Sequence, residues 1–275
     1  MIVTTVNRFL DDTPLLLESC AELILHVGLS DRMGEHPADA RLREMVNPKM
    51  SFDEKSGIAT IPVQGVLAYK PDAMEMAFFG MEDTSKLIDL VESASANEKV
   101  KGILLDVNSP GGFSTGVFSL ADAVATAGKI KPVMAHIGGT SASAAYLIAS
   151  QANEVIASRD SRVGSIGAYN VNIDRSRMIE NAGIKVEVFK NKEAKYKAIG
   201  QIGTSLTQEH RDYLNANAQA SFNEFRDTVR AKRPNISDDA MQGQVFNGKE
   251  ALKKGLVDSN GSMLTAVAKL RSKIR

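Results

Sequence analysis

Two segments carry residue types whose spacing suits acyl-transfer chemistry. Asn108-Ser109-Pro110-Gly111-Gly112 follows an apolar run and precedes a helical pattern, and its paired glycines allow unusual backbone angles and close approach of another chain. Backbone amides there could point into a cleft at the carboxyl end of a sheet. Gly138-Gly139-Thr140-Ser141-Ala142-Ser143-Ala144-Ala145-Tyr146 reads as a strand end, a turn crowded with small residues and a helix start. That order puts a hydroxyl at a helix amino terminus, where free amides and the helix dipole favour developing negative charge. Each segment alone also has a plain structural reading, as a tight turn and as a capping serine respectively.

A serine nucleophile needs a base. The four histidines are His26, His36, His136 and His210. Two fall in a leading arm or linker, one lies on a strand before the glycines and one in the first turn of a long helix, so none has the setting of a triad base. A lysine can serve if burial lowers its pKa, because only the neutral amine accepts a proton. Asn191-Lys192-Glu193-Ala194-Lys195-Tyr196-Lys197 offers three lysines, of which solvated surface charge accounts for at least two.

The elements that must position these groups follow from periodicity. Strand-like and helix-like segments take turns: helix Thr84 to Ala96, strand Val100 to Val107, helix Thr115 to Ala127, strand Pro132 to Ile137, helix Ser141 to Gln151 and strand Glu154 to Ala157. This alternation predicts an α/β fold with a largely parallel sheet, and the apolar run Gly102 to Val107 predicts its centre. Further on, Tyr169 to Ile173 leads to a short helix at Arg175 to Asn181 and a strand at Ile184 to Phe189, before a long helix from Thr207 to about Lys232. The tail predicts a strand at Gln244 to Phe246 and helices at Gly248 to Lys254 and Met263 to Ile274. Residues 1 to 50 predict a helical arm and linker, with Leu16, Leu17, Cys20, Leu23, Ile24 and Val27 at helical spacing, and residues 51 to 275 a single further domain.

Composition narrows the function classes. Hydrophobic residues at 43% and charged residues at 24% suit a globular chain, and 33 basic against 33 acidic residues give no field that would favour nucleic acid or an anionic membrane. The single cysteine, Cys20, excludes an internal disulfide and a cysteine metal cluster. Glu18 and Glu22 interrupt the early apolar stretch, so neither a signal peptide nor a membrane anchor is expected.

Taken in order, Asn108 to Gly112, Ala142-Ser143-Ala144-Ala145-Tyr146, Val163-Gly164-Ser165-Ile166-Gly167 and Tyr196-Lys197 resemble the motifs of signal peptide peptidase A and its relatives. The resemblance implies a Clp/crotonase-like fold and a serine peptidase that needs no cofactor and no metal. It makes Ser143 the nucleophile with Ser141 a decoy, Lys197 the general base with Lys195 second, and Ser165 the group that orients the amine. It makes the amides of Gly112 and Ala144 the oxyanion donors, with Gly111 shaping the turn. Two departures, Ala144-Ala145 in place of two glycines and the lack of an anchor, fit the phage head-maturation proteases of that family better. So does Arg8-Phe9-Leu10-Asp11-Asp12-Thr13-Pro14-Leu15-Leu16-Leu17, which looks like the opening of those proteases. The resulting expectation is an endopeptidase that cleaves scaffold and capsid proteins, in the host cytoplasm or prohead interior, as a homo-oligomeric ring with the arm as an interface element. The competing expectations are a cytoplasmic signal-peptide-peptidase-like protease, a crotonase-like acyl-CoA enzyme and a non-catalytic assembly protein on the same fold.

Overall fold

The computed structural model describes residues 43–274; the leading arm expected from the sequence lies outside them, except for its last few residues. The chain divides into two compact units: residues 43–168 with 222–274, and Tyr169–Ser221. The division at Tyr169 was not foreseen in the single domain expected from residue 51 onward.

The first unit is built on a sheet of β1 (Ser51–Asp53), β2 (Ile58–Ala68), β3 (Met81–Asp83), β4 (Gly102–Gly112), β5 (Val133–Ala142), β6 (Glu154–Ala157), β7 (Arg162–Gly164), β8 (Val245–Asn247) and β9 (Ser259–Asn260). Its main path runs β1-β2-β4-β5-β6-β9, with β3 beside β2 and β7 joining β5 to β8. Among the described residues only the β1–β2 and β7–β8 pairs are antiparallel, so the expected α/β class with a largely parallel sheet holds.

Crossover helices bury one face. Helix α1 is Ala73–Phe79, and α2 (Thr84–Ala96) is capped by Asp83, which accepts from the Ser85 N–H. Helix α2 presents Leu87, Val91 and Ala94 to the core, while α3 (Val117–Ile130) presents Leu120, Ala121, Val124 and Ala127. These pack with Ile103, Leu105 and Val107 of β4 and with the wholly buried α4 (Ala144–Ser150). On the opposite face Leu104, Met134 and Ile156 meet Ala266 and Leu270 of α8 (Met263–Lys273); α7 (Gly248–Lys253) precedes it. Cover on both faces is why β4 reads as an unbroken apolar run.

In the second unit α5 (Ser176–Asn181) is followed by turns and by the start of α6 (Gln208–Lys232), whose last turns carry the buried Phe225 and Val229 of the first unit. The strand expected at Ile184 to Phe189 is not formed: the segment pairs with no described strand and is irregular, as is Tyr169 to Ile173. Apolar alternation alone does not make a strand; the backbone needs a ladder partner.

Two boundaries also moved. The glycines at 138 and 139 are not a turn: β5 continues through them, and Thr140, Ser141 and Ala142 pair with β7. Likewise Pro110, Gly111 and Gly112 belong to β4 itself, and Gly111 and Gly112 pair with Val66 and Leu67 of β2.

Candidate active site

Ser143 is the corner between β5 and α4. Its φ of 53° and ψ of −126° are a conformation that L-residues rarely hold, and its side chain makes no capping bond. The simple helix-cap reading therefore fails, and the hydroxyl is left for other work. The neighbouring structure fixes the corner: the Ser143 N–H donates to the Gly164 carbonyl at 2.9 Å, and the Ser143 carbonyl accepts from Tyr146 and Leu147. Tyr146 anchors the short helix by donating its hydroxyl to the Leu256 carbonyl at 2.8 Å. Burial pushes the Tyr146 phenol pKa well up, which keeps it a donor.

Ser141, by contrast, is fully buried, so no substrate carbonyl reaches it. Ser165 lies one residue beyond the Gly164 carbonyl that holds Ser143, and it too has a positive φ, 54°. Its N–H donates to the Gln244 carbonyl at 2.6 Å. The structure thus brings the two motif serines together, both on strained backbone.

Gly111 borders the same corner. Its φ is +100°, and a Cβ there would stand 2.8 Å from the Ser143 Cβ and 2.8 Å from the Ala142 carbonyl oxygen. At Gly112 a Cβ would meet the Leu67 carbonyl oxygen at 2.0 Å. Gly112 lies opposite Leu67 in the parallel ladder and the Phe113 N–H donates to the Leu67 carbonyl, so the Gly112 N–H faces away from β2, toward the side of β5. Ala144 opens α4 and is buried; as the first helical residue its amide has no acceptor within the helix. The helix behind it has only seven residues, so the sustained dipole expected there shrinks to these first amides.

The lysines sit in the second unit, on consecutive turns before α6. The Lys195 ammonium donates to Glu209 Oε1 at 3.3 Å, and these contacts, with the Tyr196 hydroxyl at 3.2 Å, hold the Glu209 carboxyl below the usual range. Lys197 is exposed, so the burial expected of a lysine base is not seen at this position, and it makes no ion pair among the described residues. Ala198 beside it has φ 65°. His136 is buried, its pKa lowered by burial against the opposing charge of Asp106. His210 caps onto its own helix, with its N–H on Thr207 Oγ1 and Nε2 against the Lys195 carbonyl.

Sequence reasoning passed over Ser109, Tyr196 and Glu82. Ser109 and Tyr196 lie inside quoted motifs, where a hydroxyl before Pro-Gly-Gly and an aromatic between two lysines were the available signals. Glu82 lies in a three-residue strand with no such signal.

Fold and site together define an α/β protein of parallel sheet that presents a serine on a strained strand-to-helix corner against a glycine pair. The model of Peptidase family S49 matches residues 125–275, and the chain belongs to that family. It is 31% identical over 214 residues to the head-tail preconnector protein GP5 of Enterobacteria phage P21, covering 77% of this chain and 42% of that one. It is 29% identical over 224 residues to the capsid assembly protease C of Escherichia phage lambda, covering 80% and 50%. To Protease 4 of Salmonella typhi it is 31% identical over 183 residues, covering 65% and 29%. The chain therefore spans about half the length, or less, of these curated relatives. Among solved structures, an enoyl-CoA hydratase from Shewanella pealeana is similar at a TM-score of 0.44 and 12% identity, over 85% of this chain and 76% of that one.

Proposed function

We propose that this chain is a serine endopeptidase with a Ser143–Lys197 dyad, and that it cleaves scaffold or capsid proteins during phage head maturation. The observation that carries the reading is the Ser143 corner: a half-buried serine on strained backbone, its hydroxyl unused in capping, packed against Gly111. In the proposed reaction the Lys197 amine takes the Ser143 proton as Oγ attacks the scissile carbonyl, and Ser165 orients the amine. The Gly112 and Ala144 amides hold the oxyanion; the lysine returns its proton to the leaving amine, and water then hydrolyses the acyl-enzyme. Membership of Peptidase family S49 supports the chemistry, and the similarity to the two phage proteins supports the setting, in the host cytoplasm or the prohead.

A homo-oligomer, in ring form, is part of the proposal. It is supported by the large apolar side chains left exposed in Tyr169–Ser221, among them Tyr169, Met178, Ile184 and Phe189, which a second copy would cover. Among the described residues no helix is long and apolar enough to cross a membrane.

The test is intact-mass analysis of capsid-assembly proteins incubated with wild type, Ser143→Ala and Lys197→Ala. Wild type is expected to process them and both variants to fail. Processing that survives Ser143→Ala ends the assignment.

A further inference from the structure

The β4 ladder is irregular on both sides just before the glycine pair: its register with β2 shifts between Gln64 and Val66, and its register with β5 shifts between Val107 and Ser109. Where a ladder slips, backbone groups lose their strand partners and need others. One side chain serves two of them. Ser109 is completely buried; its hydroxyl donates to the Gly65 carbonyl at 2.6 Å and accepts from the Gly111 N–H at 3.1 Å.

Both partners sit in conformations that need holding. Gly65 has φ +58°, and a Cβ there would be 2.1 Å from the Gly80 carbonyl oxygen; Gly111 has φ +100° and lies against the Ser143 Cβ. A hydroxyl is suited to the place because it is donor and acceptor at once. The hydrogen bond to Gly111 leaves the next amide, that of Gly112, as the one facing β5.

We propose that Ser109 is a positioning residue for hydrolysis: its hydroxyl pins Gly111 to the β2 bulge and so aims the Gly112 amide at the oxyanion formed when Ser143 attacks. This rests on the reading of Ser143 as nucleophile and Gly112 as oxyanion donor. Ser109 touches no reacting atom. Its loss frees the Gly111 peptide to rotate, and the transition state loses a donor while substrate binding keeps its contacts.

The experiment is the rate of labelling by a fluorophosphonate, mapped by peptide mass, in wild type, Ser109→Ala and Ser109→Cys, with hydrolysis of fluorescent casein followed across pH. Phosphonylation needs both an active serine and an oxyanion site. Wild type is expected to label at Ser143, and Ser109→Ala about 10- to 100-fold more slowly, with KM and the pH midpoint unchanged. Ser109→Cys keeps the size and a weak donor and is expected to fall in between; it also serves as the comparison if the alanine variant does not fold. Labelling of a folded Ser109 variant at the wild-type rate overturns the proposal and leaves the nucleophile standing. So does a slower rate with a displaced pH midpoint, which moves the effect to the base. Absence of Ser143 labelling in wild type instead removes the reading on which the proposal rests.

Discussion

Ser143 and Ser165 hold positive φ angles that cost an L-residue on the order of 1–3 kcal/mol. The strain gives a prediction separable from activity. Glycine adopts such angles freely, so Ser143→Gly is expected to melt above Ser143→Ala, by an amount worth about 1 kcal/mol, although glycine ordinarily loses to alanine. Paired thermal melts check this; an alanine variant as stable as the glycine variant means the corner is unstrained. Gly111→Ala carries the reverse expectation: a Cβ 2.8 Å from that of Ser143 should displace the corner and abolish labelling of Ser143 even where the chain still folds. At this scale the sequence was legible for residue types and not for angles. The Ala-Ser-Ala-Ala-Tyr run points to Ser143, but its unused hydroxyl, and the burial that disqualifies Ser141 two residues away, come from β5 continuing to Ala142.

Among the elements, those read most closely are the ones whose neighbours impose a strict period. Helix Thr84–Ala96 and strand Glu154–Ala157 were read to the residue. The end of β5 was misread because Gly138-Gly139-Thr140 has turn composition. Gly139 is a glycine for another reason: a Cβ on it would lie 2.4 Å from Asn108 Oδ1, the atom that also accepts the Thr140 N–H. Glu82 of β3 was equally invisible. Burial raises its pKa from 4.5 to about 7, against the opposing pull of the Gln64 N–H that it accepts. Between those two values the folded chain keeps a proton that the unfolded chain has released, so stability falls as pH rises through the window, by up to about 3 kcal/mol. Glu82→Gln can still accept from Gln64 and has no charge to bury. The stability of this variant relative to wild type is expected to grow from pH 4.5 to 7 and then level off; chemical denaturation at several pH values checks it, and a constant difference rejects it. The turn bearing Lys197 depends on a different contact, the stacking of Tyr196 on Tyr213 at 4.5 Å. Tyr196→Ala is expected to slow casein hydrolysis about 10-fold, and Tyr196→Phe, which keeps the ring, to stay within about 3-fold.

For the whole molecule the alternation of strands and helices made the parallel sheet legible, because crossover topology follows from chain order. The division at Tyr169 was not legible, since apolar residues beyond it read as strands whether or not a partner exists in the same chain. None of the residues 169–221 is buried, whereas β4 and β5 are built mostly of buried residues. A unit with so little burial opens at low cost, and its amides should exchange rapidly when the chain is isolated. If copies associate through it, mass action must stabilise it selectively. Amide exchange followed over a range of protein concentrations is therefore expected to show protection rising within Tyr169–Ser221 while that of β4 and β5 stays constant, alongside a rising sedimentation coefficient. Phe189→Ser, which replaces the most exposed of these apolar side chains at 90%, should shift both transitions to higher concentration without altering the melting of the first unit. A sedimentation coefficient independent of concentration, with uniformly rapid exchange throughout the second unit, would leave its apolar residues without a second copy to cover them and would remove the oligomer from the proposal.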